Sequence, residues 1–168
     1  MRIHDLNELD REAFAAALHF AFELSPWVVE RAWTARPFPS VEAMHGAMMD
    51  VLNAASEDDK LALIRAHPEL AGKAAIAKAL TAESTAEQAG AGLDRLTPEE
   101  FARFHDLNAA YGKAFGFPFI ICVRLNDKSS ILRAMQARLS NDRATEIAEA
   151  IKQIGLISKL RIQDAVTD

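Results

Sequence analysis

Only one run in this chain reads as extended: residues 116–123, GFPFIICV. A single short strand cannot build a sheet. Elsewhere the apolar residues recur at three- and four-residue steps, the period of an amphipathic helix. The chain must therefore bury its core between helices, which predicts an all-α fold: a compact single-domain bundle over residues 1–168 of roughly eight helices, by the usual helix length, with one short extended segment near 117–123.

Start and stop signals divide the chain. Asn7 is placed to cap a helix through Phe14, Leu18 and Ala21. Pro26 suits a first helical turn, and Trp27, Val28 and Trp33 carry a short helix to Ala35 before the breaker Arg36-Pro37-Phe38-Pro39. Ser40 can cap a helix bearing Met44, Met48, Val51 and Leu52, and Ser56 with Asp59 resembles a capping box. His67-Pro68 should stop that helix, because a residue before proline avoids the helical region. An alanine-rich stretch runs from Glu69 to Ala82. Ser84 and Glu87 then form an S-x-x-E capping pair, and Thr97-Pro98-Glu99-Glu100 is a strong helix start. From there Phe101, Phe104, Asn108, Tyr111 and Phe115 step along one face. Ser129 begins another helix, and Asn141 caps a last one, with a bend or break expected at Gly155.

Composition narrows the function. The 168 residues carry 19 Lys and Arg against 24 Asp and Glu, a formal charge of −5, so no global basic field exists to hold nucleic acid or an anionic membrane. The lone cysteine excludes a disulfide framework and a cysteine-rich zinc site. No apolar run is long enough to span a bilayer, and the first residues lack the apolar core of a signal peptide. A reduced, cytoplasmic setting is the expectation. The histidines fall in no ligand spacing, so no metal site is expected.

Local chemistry concentrates at helix ends. His67 sits at a forced stop, where its ring can point into a cleft. Glu87 sits in the expected first turn of a later helix. Together they would make an acid–base pair, the carboxylate fixing the imidazole tautomer and stabilising the imidazolium. Sequence alone leaves the bland alternatives open: His67 a partly buried boundary residue, Glu87 a capping side chain, Cys122 a packed thiol and Arg161 a solvated arginine.

Three motifs in order point to a family. They are Ala66-His67-Pro68-Glu69-Leu70 with Gly72-Lys73, then Ser84-x-x-Glu87-Gln88-Ala89-Gly90-Ala91-Gly92-Leu93, then Asn108-x-x-Tyr111-x-x-x-Phe115-Gly116-Phe117-Pro118-Phe119-Ile120. With Arg36-Pro37-Phe38, Arg138-Leu139-x-Asn141 and Leu160-Arg161-Ile162, the chain resembles the OHCU decarboxylases over about residues 6 to 164. OHCU is 2-oxo-4-hydroxy-4-carboxy-5-ureidoimidazoline. The resemblance implies an all-helical carboxy-lyase of urate catabolism that yields (S)-allantoin, works without metal or organic cofactor, and is commonly a homodimer. It implies His67 as the catalytic proton donor and Glu87 as its paired carboxylate. Substrate-binding positions would be Pro68, the stretch Ser84, Thr85, Ala86, Glu87 and Gln88, the stretch Phe119, Ile120, Ile121, Cys122 and Val123, and Arg161. Two departures stand out: Ala71 precedes Gly72, where many members place Leu-Gly, and the turn from Cys122 to Asp127 is less typical. Two rival functions remain at this stage: a helical enzyme acting on a related imidazoline or hydantoin, and a non-catalytic helical interaction module that docks through 116–123.

Overall fold

The computed structural model describes residues 1–72 and 80–168. Residues 73–79, part of the alanine-rich stretch and including Lys73 of the first motif, lie outside the described residues. Among the described residues every regular element is helical, and the only strand-like pairing is an isolated bridge between Arg2 and Thr167. The fold is all-α. Among the described residues no helix is long and apolar enough to cross a membrane. The chain divides into two compact units, residues 1–63 with 154–168, and residues 64–153.

The first unit contains α1 (Ile3–Asn7), α2 (Arg11–Ala17), α3 (Trp27–Ala32) with a 3-10 turn at Trp33–Ala35, and α4 (Val41–Ala54). Most of α5 (Glu57–Ala66) and the end of α9 (Arg143–Ala165) also belong to it. Asp10, not Asn7, caps α2, its carboxylate accepting from the Ala13 N–H at 2.8 Å. Asn7 instead exchanges two bonds with the Phe38 backbone, at 2.9 and 2.8 Å. That fixes the Phe38 ring in a stack on Phe14, centroids 6.0 Å apart. Helix α2 ends at Ala17, before Leu18 and Ala21, yet both residues are buried. Ser40 caps α4 as expected, accepting from the Ala43 N–H. α9 runs unbroken through Gly155, where a Cβ would come within 2.8 Å of the Met49 side chain. The glycine is there for close approach, and the expected break does not occur.

The second unit contains α6 (Ala82–Gly90), α7 (Pro98–Phe115), a 3-10 turn at Val123–Leu125, α8 (Lys128–Arg138) and the first part of α9. Thr97 and Glu100 form the expected capping box of α7. Its buried face is Phe104, Leu107, Asn108, Tyr111 and Phe115; Phe101, expected on that face, is exposed. α8 is capped by Asp127, which exchanges bonds with Ser130, rather than started at Ser129. Asp142 takes the capping role at α9, accepting from the Thr145 N–H at 2.7 Å, and Asn141 donates to Glu146 instead. Residues 117–122 join no strand; side chains bond the Ile120 carbonyl and both the N–H and the carbonyl of Cys122. Tyr111 gathers the aromatic core, its ring 4.6 Å from Phe115 and edge-on to Phe119 at 5.4 Å.

Glu146, wholly buried in the first turn of α9, ties this unit together. It accepts from the Tyr111 hydroxyl at 2.6 Å, Arg138 Nε at 2.8 Å and Asn141 Nδ2 at 2.9 Å. Burial, and then the bond to Glu146, push the Tyr111 hydroxyl well above the ordinary phenol value. Neutralising one partner of such a pair strands the other charge in low dielectric. Glu146→Gln is therefore expected to cost about 3–5 kcal/mol in urea unfolding. Asp59→Asn, in the half-exposed Arg31–Asp59 pair, should cost less than about 1 kcal/mol.

A second expectation concerns pH. Burial lowers the pKa of His45, whose Nε2 lies 3.1 Å from the Gly155 carbonyl and 3.0 Å from Ser158 Oγ. A histidine held neutral in the folded state favours proton uptake on unfolding. The contribution is therefore present above the ordinary imidazole value of 6.5 and is lost as pH falls below it. His45→Gln should flatten that acid limb in a melting-temperature series, with the alkaline side unchanged.

Candidate active site

Proline sets where His67 lies. α5 stops at Ala66, and the His67 N–H folds back to the Ile64 carbonyl at 3.2 Å. His67 is 8% exposed. The loop behind it is held by two amide side chains. Gln88 Nε2 donates to the Glu69 carbonyl at 3.2 Å while its Oε1 accepts from the Ala71 N–H at 3.0 Å. Asn108 Nδ2 donates to the Leu70 carbonyl at 2.8 Å. Three consecutive residues of an irregular loop are thus paired without regular structure, as buried backbone requires. The turn is tight. Ala71 has φ of 52°, a region that costs a non-glycine residue about 1–2 kcal/mol. A Cβ on Gly72 would come 3.0 Å from that of Glu69.

The helix that carries Glu87 begins earlier than its S-x-x-E pattern suggests. Thr81 is the cap, its hydroxyl accepting from the Ser84 N–H at 3.3 Å. Ser84 is therefore inside the first turn and buried, and Glu87 lies in the middle of α6. The capping reading of both residues is overturned, because a threonine three residues upstream reaches the same amide row first. At 100° per residue, Ser84, Glu87 and Gln88 share a face, while Thr85 and Ala86 turn outward and are exposed. Thr85 and Gln88 also line a half-open cavity of about 730 Å³, with Ala71, Leu93, Pro98 and Phe101.

Residues 119–123 form a buried wall. Arg138 Nη1 donates to the Ile120 carbonyl at 2.7 Å, and its guanidinium lies 4.2 Å from the Phe119 ring. The Cys122 N–H donates to Gln153 Oε1 at 2.9 Å, and the Cys122 carbonyl accepts from Asn126 Nδ2. The 3-10 turn that follows packs on α6. Glu87 is close enough to Cys122 for its charge to act on the thiol. Burial first, and then Glu87, push the Cys122 thiol up, against opposing backbone donors at Leu125 and Arg124. That environment suits a packed thiol and not a nucleophile.

Arg161 lies in the first unit. Its Nη1 donates to Glu23 Oε2 and to the Phe20 carbonyl, each at 3.1 Å, and it is 6% exposed. The solvated reading of this arginine fails. Among the described residues no cluster of three His, Cys, Asp or Glu side chains could hold a metal ion. Sequence reasoning overlooked Gln88, Gln153, Glu23 and Glu146 as organising groups. Polar residues on helices look solvated until their partners are known. Arg138, Asn108 and Gln88, inside the motifs, carried a signal, but not for the bonds they make.

Among the described residues every regular element is helical, and a buried histidine stands at a helix stop before a loop pinned by side-chain amides. The OHCU decarboxylase family model matches residues 7–163, and the chain belongs to that family. It is 38% identical over 98% of its length to a 2-oxo-4-hydroxy-4-carboxy-5-ureidoimidazoline decarboxylase of Halalkalicoccus jeotgali, covering 91% of that protein. It is 39% identical to the protein of the same name from Amia calva, covering 99% of this chain and 95% of the relative. A crystal structure of (S)-allantoin synthase superposes with a TM-score of 0.75 at 27% identity over 99% of this chain. The present chain spans 54% of that longer one. A crystal structure of OHCU decarboxylase in the presence of (S)-allantoin shares the fold, with a TM-score of 0.67 at 21% identity, over 83% of this chain and 90% of that one.

The Cys122 environment gives a direct test. With its pKa raised and only 1% of the residue exposed, the native protein should react with iodoacetamide far more slowly than free cysteine at pH 8. Unfolding in urea should restore the ordinary rate. Rapid labelling of the folded protein would reopen a nucleophilic role.

Proposed function

We propose that this chain decarboxylates 2-oxo-4-hydroxy-4-carboxy-5-ureidoimidazoline to (S)-allantoin in urate degradation. The observation that carries the site assignment is the Gln88 clamp. It ties the loop behind His67 to α6 one residue away from Glu87. The family match crosses both compact units, which supports reading the chain as one functional domain.

The substrate explains how such a site can work without a cofactor. The carbon that loses its carboxylate lies beside a ring C=N bond. When the C–C bond to the carboxylate breaks, its electron pair moves into that C=N system and carbon dioxide leaves. The electron pair leaves a double bond between that carbon and its ureido-bearing neighbour, and the ring nitrogen takes up a proton. The hydroxyl then gives up its proton to become the ring carbonyl while the ureido-bearing carbon is protonated on one face, giving a chiral product. The substrate is its own electron sink, so neither pyridoxal phosphate nor thiamine is required. The protein must orient the carboxylate, shield the reacting carbon from water and deliver one proton. His67 is the proton donor and Glu87 its charged partner. Pro68 and the Ser84–Gln88 stretch border the substrate, as does the wall from Phe119 to Val123. Within the Ser84–Gln88 stretch, the face shared by Ser84, Glu87 and Gln88 is the one suited to the task. The family resemblance supports Arg161, whose Nη1 is bonded to Glu23 and to the Phe20 carbonyl, as a substrate-contacting arginine. A lone, buried cysteine suits a reducing cytoplasm, and the family resemblance supports a homodimer, which sedimentation would test.

The decisive assay generates the unstable substrate from urate with the two upstream enzymes and follows chiral allantoin by circular dichroism. This protein should accelerate its formation, before and after exhaustive chelation. His67→Asn should abolish the acceleration. Because Thr81 caps α6, Glu87→Gln should leave the melting temperature unchanged while cutting turnover by roughly 10²–10⁴. Its histidine limb should move to lower pH, since the imidazolium has lost its counter-charge. Formation no faster than spontaneous decay would return the chain to the rival readings.

A further inference from the structure

Trans peptide geometry turns two hydrogen bonds into a statement about a third residue. Among the described residues Arg36–Pro37 is the one cis peptide bond, so both peptide units flanking Ile121 are trans and planar. In a trans unit the C=O and N–H point in opposite directions. Arg138 draws the Ile120 carbonyl toward itself, which sends the Ile121 N–H the opposite way. Gln153 draws the Cys122 N–H toward itself, which sends the Ile121 carbonyl away from Gln153. The two clamps thereby aim one donor and one acceptor from a single residue. The ring amides and ureido group of the proposed substrate present mixed donor and acceptor edges.

The Gln153 clamp is itself oriented. Gln153 Nε2 donates to Glu149 Oε1, one helical turn earlier on α9, at 2.8 Å. An ionised carboxylate only accepts, and a peptide N–H only donates. The amide can satisfy both neighbours in one orientation alone: nitrogen toward Glu149, oxygen toward Cys122. A flipped amide would set oxygen against oxygen and N–H against N–H. Glu149 and Gln153 are both only partly buried, and neither belongs to the proton-handling pair.

We propose that Gln153, oriented by Glu149, is a positioning residue that sets the substrate-binding peptide edges of Ile121. This rests on the reading that residues 119–123 meet the substrate. It commits Gln153 to a role in recognition: the group acts through the Cys122 peptide and touches no reacting atom.

The test is a swap along α9, assayed with enzymatically generated substrate and with (S)-allantoin as a binding probe. Gln153→Leu removes the acceptor. Gln153→Glu keeps an acceptor but sets two carboxylates one turn apart. Each should raise KM by roughly three- to tenfold, the effect of one lost hydrogen bond, with kcat within about twofold. The dissociation constant of (S)-allantoin should rise in parallel. The double variant Glu149→Gln/Gln153→Glu rebuilds the relay with its polarity reversed: the amide placed at position 149 donates, and the carboxylate placed at position 153 accepts from both sides. It should bring KM and allantoin affinity back to within about twofold of the wild type. A lowered melting temperature with unchanged KM would make Gln153 merely structural and overturn the proposal. A double variant no better than Gln153→Glu would overturn it as well. Wild-type protein that fails to accelerate the reaction would remove the functional reading and this proposal together. An active wild type with an unaltered Gln153→Leu variant would remove only the proposal.

Discussion

Helices α7, α8 and α9 of the second unit meet on a carboxylate that water cannot reach. Glu146 loses its hydration on folding, and such a loss is tolerable only when hydrogen bonds replace it. Three donors do so, from Tyr111, Arg138 and Asn141, drawn from α7, α8 and the turn that follows α8. The pair is more than a local neutralisation. Once Glu146 fixes Arg138 Nε, the planar guanidinium has little freedom left, and Nη1 must fall on the Ile120 carbonyl. Among the described residues Arg138 Nη2 meets no acceptor, but the guanidinium lies 4.2 Å from the Phe119 ring. The ring quadrupole thus meets part of the charge. A buried ion pair is weak evidence for stability in general. Here its geometry sets the course of an irregular segment that has no sheet to hold it.

The helices were largely legible because helical periodicity and proline are strong signals. The Thr97-Pro98 start and the His67-Pro68 stop fall where the sequence puts them, and Ser40 caps as expected. The misplaced caps share one cause. Asn7, Ser84, Ser129 and Asn141 each have a competing Thr or Asp nearby, and the true cap is the residue whose side-chain oxygen reaches the N–H three positions on. Asp10, Thr81, Asp127 and Asp142 do so at 2.7–3.3 Å. Such errors are small in residues but large in meaning. Moving the start of α6 from Ser84 to Thr81 takes Glu87 out of a capping box and leaves its carboxylate in mid-helix, without a structural duty at the helix end.

The candidate site was legible as a set of motifs, whereas the groups that hold those segments in place were not. His67, Glu87 and the 119–123 run are distinctive in sequence. What holds them is not, because Gln88 and Gln153 are helical amides whose partners lie 17 to 31 residues away. A sequence pattern reports faces and caps, and it cannot say which exposed-looking amide folds inward onto a loop. Glu23 is a similar case: a carboxylate just after α2 that is buried against Arg161 from the far end of the chain.

The choice of amides for these clamps has a physical logic. An irregular loop needs its buried peptide groups paired, and Lys, Arg, Asp or Glu could pair them. Each would add a full charge to the loop or the wall, and a charge within a few ångströms moves a neighbouring group's pKa by one to several units. Asparagine and glutamine supply a donor and an acceptor with no net charge. Gln88 uses both ends on one loop, and Gln153 passes the pull of Glu149 to the Cys122 N–H, the carboxylate standing one step back from the wall. The charged anchor of the wall is placed differently: Arg138 is balanced by Glu146. The loop and the wall are thereby fixed by groups with no net charge or by a balanced pair.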